Sequence, residues 1–173
     1  MDKKLKNIER NRIIDTRNYE KGIFLNRAER VKKFSKSELQ NIFNLTNFCN
    51  IGNYYDTNDF HQKCSDYVNV NKDEILLTNG AEEAIRYIFN ILLDKGDTIM
   101  FPTPTYGMYH VYTRMYQLES IILDYNDDFK INKDKLYENL LKVKVFFLPN
   151  PSHIEDLFTQ DEVINICKIL KEN

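Results

Sequence analysis

The chain has 173 residues, 42% hydrophobic and 29% charged, with a net charge of −2. A chain near this length buries roughly 70% of its unfolded surface, so it can form a core without disulfide or metal staples. The charge hides no large block of one sign, which argues against a polybasic face for nucleic acid or an anionic membrane.

Three cysteines, Cys49, Cys64 and Cys167, are odd in number and widely spaced. They suggest no disulfide framework, and a reducing cytoplasm is the expected location. No apolar run approaches the ~18 residues of a membrane span, and the first thirty residues contain no apolar core of signal-peptide length. His61 and Cys64 form an isolated H-x2-C without the second pair that a zinc site needs.

Residues 1–35 are polar and mixed, with Lys3, Lys4, Lys6, Arg10 and Arg12 clustered early. They read as an arm; the basic cluster is either solvated or a binding surface. Residues 36–173 read as one domain. A helix is expected over 37–44, a loop through "NIGNYYDTND", and a helix over 60–68. From Glu74 onward the pattern becomes regular. Strand-like runs occur at "EILLT", "DTIMF", "ESIILDY" and "KVFFL", and helical periodicity fills 81–93, 104–117, 133–141 and 161–171. Alternation of this kind predicts right-handed crossovers and a parallel sheet covered on both faces. Gly96 is placed to close the helix over 81–93.

In open α/β sheets, ligands bind beyond the carboxyl ends of the strands. Three unusual loops are expected at that edge: Asn79-Gly80-Ala81, Pro102-Thr103-Pro104-Thr105-Tyr106, and Pro149-Asn150-Pro151-Ser152-His153. At the first, a helix starting right after a strand aims its first N–H groups and positive end at the edge. Gly80 lets an anion approach the backbone, with the amides of Ala81 and Glu82 as donors. The plainer reading is an ordinary turn in which Glu82 and Glu83 favour the helix dipole. There is no G-x-G-x-x-G or G-K-[ST], so the dinucleotide and P-loop readings are poor. At the second loop, Pro102 is expected to end the strand at Phe101. Thr103 is expected to cap a helix beginning at Pro104, which puts Tyr106 in the first helical turn. Its ring can face a flat aromatic ligand, or pack beside Met108, Tyr109 and Tyr112.

The stretches "ILLTNGAEEAI", "GDTIMFPTPTYGMY", "DFKINKDKL" and "VFFLPNP" resemble the large domain of fold-type I, pyridoxal-phosphate-dependent class I/II aminotransferases, histidinol-phosphate aminotransferase-like members above all. The resemblance runs from about Phe24 to the end. It implies an α/β fold: an incomplete three-layer α/β/α large domain, mostly parallel, with an N-terminal arm. It implies pyridoxal 5'-phosphate as cofactor, with Gly80, Ala81 and Glu82 at the phosphate, Tyr106 stacked on the pyridine ring, and Tyr55 reaching the phosphate of a partner subunit. It also implies an amino acid or 2-oxo acid as substrate and a homodimer as the assembly.

The departures are as informative. Where the family has N-P-[NS]-N-P-T-G, this chain reads Asn150-Pro151-Ser152-His153-Ile154-Glu155-Asp156. His153 stands where an asparagine donates to the pyridine hydroxyl; a neutral imidazole can donate there, or His153 is a surface loop residue. Tyr55 lacks the usual following proline, and Ala28 stands where asparagine is common. The family's aspartate at the pyridine nitrogen, its Schiff-base lysine and its carboxylate-binding arginine are expected beyond Asn173. No lysine here follows a strand in a comparable setting, so the chain is expected to be truncated, to bind the cofactor weakly if at all, and to be inactive without a missing C-terminal half. The alternatives are a non-catalytic binding or interaction protein that keeps the sheet, and an unrelated nucleotide or phosphate-ester binder.

Overall fold

The computed structural model describes residues 30, 32–45, 52–54, 56–152 and 158–171. They belong to two compact units, one within Arg12–Leu77 and one within Thr78–Asn173. Among them no helix is long and apolar enough to cross a membrane.

The first unit holds α1 (Lys36–Leu45) and α2 (Asn58–Val68), where two helices were expected. Ser35 and Glu38 start α1 reciprocally: Glu38 N donates to Ser35 Oγ at 3.2 Å, and Ser35 N donates to Glu38 Oε2 at 2.7 Å. Such a capping box satisfies two amides that the helix itself leaves over. α2 stops at Asn69, whose left-handed φ of 55° suits asparagine, and whose amide returns to the Ser65 carbonyl. His61 Nε2 donates to the Ile75 carbonyl at 2.8 Å, which ties α2 to the segment after a 3₁₀ turn at Lys72–Glu74.

That segment departs from expectation. Ile75 is extended, at φ −116° and ψ 127°, but "EILLT" forms no strand; among the described residues the sheet has three strands and does not include it. Leu76 is 68% exposed. An apolar run states that burial is favourable; a strand also needs a neighbouring backbone.

The second unit is built on β1 (Thr98–Thr103), β2 (Glu119–Asp124) and β3 (Val145–Phe146), all parallel in the order β2-β1-β3. Alternation along β1 divides the core. Ile99 and Phe101 join one apolar layer with Phe89 of α3 (Ala81–Ile91) and Tyr109, Val111 and Tyr112 of α4 (Met108–Met115). Met100 joins the other with Leu136 of α5 (Lys133–Asn139) and Ile166 of α6 (Gln160–Lys171). The expected three-layer arrangement, a parallel sheet between helices, is therefore present.

Three boundaries differ from expectation. Pro102 does not end β1 but pairs opposite Leu123. Thr98 O and Met100 O accept from Lys144 N and Phe147 N, both at 2.8 Å, so even-numbered residues turn their backbone groups toward β3. Pro102 is the next of these, past the last β1–β3 pair at Met100–Phe146, and its missing N–H breaks no ladder. Thr103 is still paired, with Asp124, so it cannot cap a helix at Pro104. The Thr103–Pro104 peptide is cis, and α4 begins at Met108 instead. Gly96 does not close α3, whose cap is Leu92. It sits at φ +91° in the turn before β1 and donates its amide to the Gln117 carbonyl at 3.0 Å.

At the amino end of the sheet, Lys144 Nζ lies 2.7 Å from Asp97 Oδ2 and 3.8 Å from Asp94 Oδ2. The Lys144 hydrogen bond, with a second from the Asp94 amide, holds the Asp97 carboxyl below the usual carboxylate range. A depressed carboxyl stabilises the fold above its unfolded pKa, and that contribution is lost as pH falls through the folded value. Asp97→Asn should therefore flatten the acid limb of stability against pH, measured by urea midpoints below about pH 4. The flattening is partial, since Glu83 and Glu162 are lowered too. In the core, Phe89 is fully buried, with its ring stacked on Phe147 at 5.1 Å and tilted on Tyr112 at 5.2 Å. Phe89→Ala should cost about 3–5 kcal/mol, whereas Ile91→Ala, at a side chain 73% exposed, should stay within about 0.5 kcal/mol; chemical denaturation of both variants checks the contrast.

Candidate functional site

The turn into α3 is shaped by Asn79, Gly80 and Glu83. Asn79 donates its amide and its side-chain Nδ2 to Glu83 Oε2, at 2.7 and 2.9 Å, and Thr78 Oγ1 donates to the Gly80 carbonyl at 3.0 Å. The Asn79 amide is the main reason that the Glu83 carboxyl sits below its usual range. Gly80 takes φ +81° and ψ 174°, a region that other residues avoid, and a side chain there would project into open space. Ala84 N donates to the Gly80 carbonyl at 3.4 Å, the first bond of the helix. The amides of Ala81 and Glu82 precede it, at the positive end, where a helix offers no acceptor of its own.

Tyr106 meets this helix end. Its hydroxyl donates to Glu82 Oε2 at 2.9 Å. The residue is half-buried, packed on the α3–α4 layer, with Tyr109 edge-on at 6.0 Å and 88°. It lies just before α4, not inside its first turn, because β1 continues through Thr103. The Tyr109 amide donates back to the Tyr106 carbonyl at 3.1 Å as the chain turns into the helix.

Tyr106 also joins Pro104, Thr105, Pro149, Pro151 and Ser152 around a cavity of about 90 Å³. A small-molecule site usually measures roughly 300–1,000 Å³, so this cavity alone is too small for one. Asn150 stands between the two lining prolines. Its side chain clasps Phe158, with Nδ2 donating to the Phe158 carbonyl at 3.0 Å and Oδ1 accepting from its amide at 3.3 Å.

Gly80, Ala81, Glu82 and Tyr106 thus come together, and the Asn150 loop shares the cavity with Tyr106. Tyr55 and His153 lie outside the described residues. Sequence reasoning missed the pairing of Thr103 Oγ1 with His110 Nε2 at 3.0 Å, where the His110 ring also sits edge-on to Phe101 at 4.9 Å. A threonine and a histidine seven positions apart carry no signature until a strand and a helix bring them together. The Asn150 clasp was equally unannounced. The two P-x-P stretches, by contrast, were visible as unusual loops, and they supply the cavity walls.

The chain matches the model of the family "Aminotransferase class I and II" over residues 24–173. The histidinol-phosphate aminotransferase of Ruminiclostridium cellulolyticum is 32% identical over 118 residues, covering 65% of this chain and 33% of that protein. The histidinol-phosphate aminotransferase of Clostridium acetobutylicum superposes with a TM-score of 0.64 at 22% identity, over 78% of this chain and 39% of that one. The Sinorhizobium meliloti enzyme of the same name, solved in complex with pyridoxal-5'-phosphate, gives 0.65 at 14% identity, over 78% and 37%. The chain spans about a quarter to a third of the length of the curated relatives it matches. With the family match covering all the elements from α1 to α6, the chain belongs to the class I and II aminotransferases.

Proposed function

We propose that residues 36–173 form the part of an aminotransferase large domain that binds pyridoxal phosphate, with residues 1–35 as its arm. The observation that carries the reading is the contact between Tyr106 and Glu82, which joins an aromatic ring to the amino end of α3. Pyridoxal phosphate is an anion joined to a flat ring, and this arrangement offers a place for each. Gly80 keeps the helix end clear, the Ala81 and Glu82 amides donate to the phosphate, and the Tyr106 face stacks on the ring. His153 and Tyr55 complete the proposed set, Tyr55 across a homodimer. Bound pyridoxal phosphate supplies the electron sink for amino-group transfer.

The substrates proposed are an amino acid and a 2-oxo acid or phosphorylated carbonyl compound, of the histidinol-phosphate type, in the cytoplasm. Transfer also needs a lysine as covalent anchor and proton carrier. Lys144, Lys133 and Lys135 are engaged with Asp97, Glu162 and Asp124, and none of these pairs involves residues 79–83 or 104–106. We give these residues a role in binding the cofactor and assign the anchor to none of these three lysines.

Without a covalent anchor the affinity should be weak, with Kd about 1 mM, equivalent to ~4 kcal/mol. A ³¹P NMR titration of pyridoxal phosphate with the chain measures it. Tyr106→Ala should weaken binding about fivefold, the worth of one stacking contact. Pyridoxal, which lacks the phosphate, should not compete; competition at equal concentration, or a phosphorus resonance that never moves, would end this reading.

A further inference from the structure

Glu82 and Glu83 stand side by side at the start of α3, but they have different partners. Glu83 closes its own turn on Asn79 and pairs with Arg86 at 3.3 Å. Glu82 leaves that turn and accepts the Tyr106 hydroxyl from 24 residues along the chain. The Tyr106 ring is therefore engaged at both ends, with Tyr109 edge-on against the ring and Glu82 at the hydroxyl. A phenol tied in this way cannot swing about its side-chain torsions without giving up a contact. A ring already in place loses little rotamer freedom when a flat ligand docks, and that loss otherwise weakens binding.

We propose that Glu82 is a positioning residue whose carboxylate, through the Tyr106 hydroxyl, holds the aromatic face at a set distance from the amino end of α3. One residue then serves both halves of the site: its backbone amide faces the anion, and its side chain fixes the ring. The nature of the ligand rests on the reading above; the tie itself does not. A carboxylate that merely favoured the helix dipole would behave differently on substitution. Glu82→Gln keeps an acceptor oxygen and drops the charge, Glu82→Ala drops both, and Tyr106→Phe drops the donor.

The test uses the full chain, with 3-fluorotyrosine placed at position 106 and pyridoxal phosphate as the probe. Before any probe is added, Glu82→Ala should shift and broaden the ¹⁹F resonance, while Glu82→Gln should leave it close to the original. In the titration, Glu82→Ala and Tyr106→Phe should each weaken binding about three- to tenfold, the range for one hydrogen bond. The double variant should be no weaker than either single one, and Glu82→Gln should bind at least as well as the unaltered chain. A ¹⁹F resonance that Glu82→Ala leaves in place overturns the proposal, as do equal affinities for the two Glu82 variants. If the ¹⁹F result holds while pyridoxal phosphate does not bind the unaltered chain, the tie stands and the cofactor reading falls.

Discussion

β1 carries hydrogen-bond ladders on both of its sides and side chains into both apolar layers, and this double engagement organises the rest of the unit around it. The register with β2 runs the full length of the strand, from Thr98 opposite Glu119 to Thr103 opposite Asp124. That long pairing delays the next helix until Met108. It also leaves the four residues from Pro104 to Gly107 to make their way across the carboxyl edge, with Tyr106 among them. The aromatic packing of Phe89, Tyr109 and Phe147 backs the same region from within. A loop seated on so rigid a base can hold a side chain in a defined place, which is the general reason for binding residues to sit at such edges.

The layered architecture was legible in the sequence because the strand–helix alternations from Thr98 onward leave changes of period that side-chain burial enforces. The limits of the elements were less so, for reasons visible in particular residues. "EILLT" and "DTIMF" have similar apolar character, yet only the second found a backbone on either side. Composition reports the gain from burial and is silent about who supplies the ladder. The reading of Pro102 applied a sound rule, that proline lacks a donor, without knowing which way its nitrogen would face. The reading of Thr103 as a cap failed because the residue was already spent in the strand.

Half of the site was legible for a different reason. Gly80 and the P-x-P loops stand out by residue type, and the resemblance to the aminotransferases attached roles to them. The side-chain ties did not stand out. Glu82 and Glu83 look equivalent as letters, and the division of labour between them depends on Tyr106 arriving from another loop. Asn150 likewise looks like a loop marker, while its amide has a full pair of backbone partners in Phe158. Long-range pairs of this sort are properties of the assembled sheet.

The place of Pro102 has a consequence for the cavity beside Tyr106. If the β1–β3 register continued one step, Pro102 would have to donate to the Phe147 carbonyl and Pro149 to the Pro102 carbonyl. Neither imino acid has a hydrogen to give. The ladder between the two strands therefore cannot extend past Met100 and Phe146 in this register. Pro104 and Thr105 of one loop and Pro149, Pro151 and Ser152 of the other line the cavity. Because neither proline can supply the missing ladder bond, a ligand entering there would not have to prise two hydrogen-bonded strands apart.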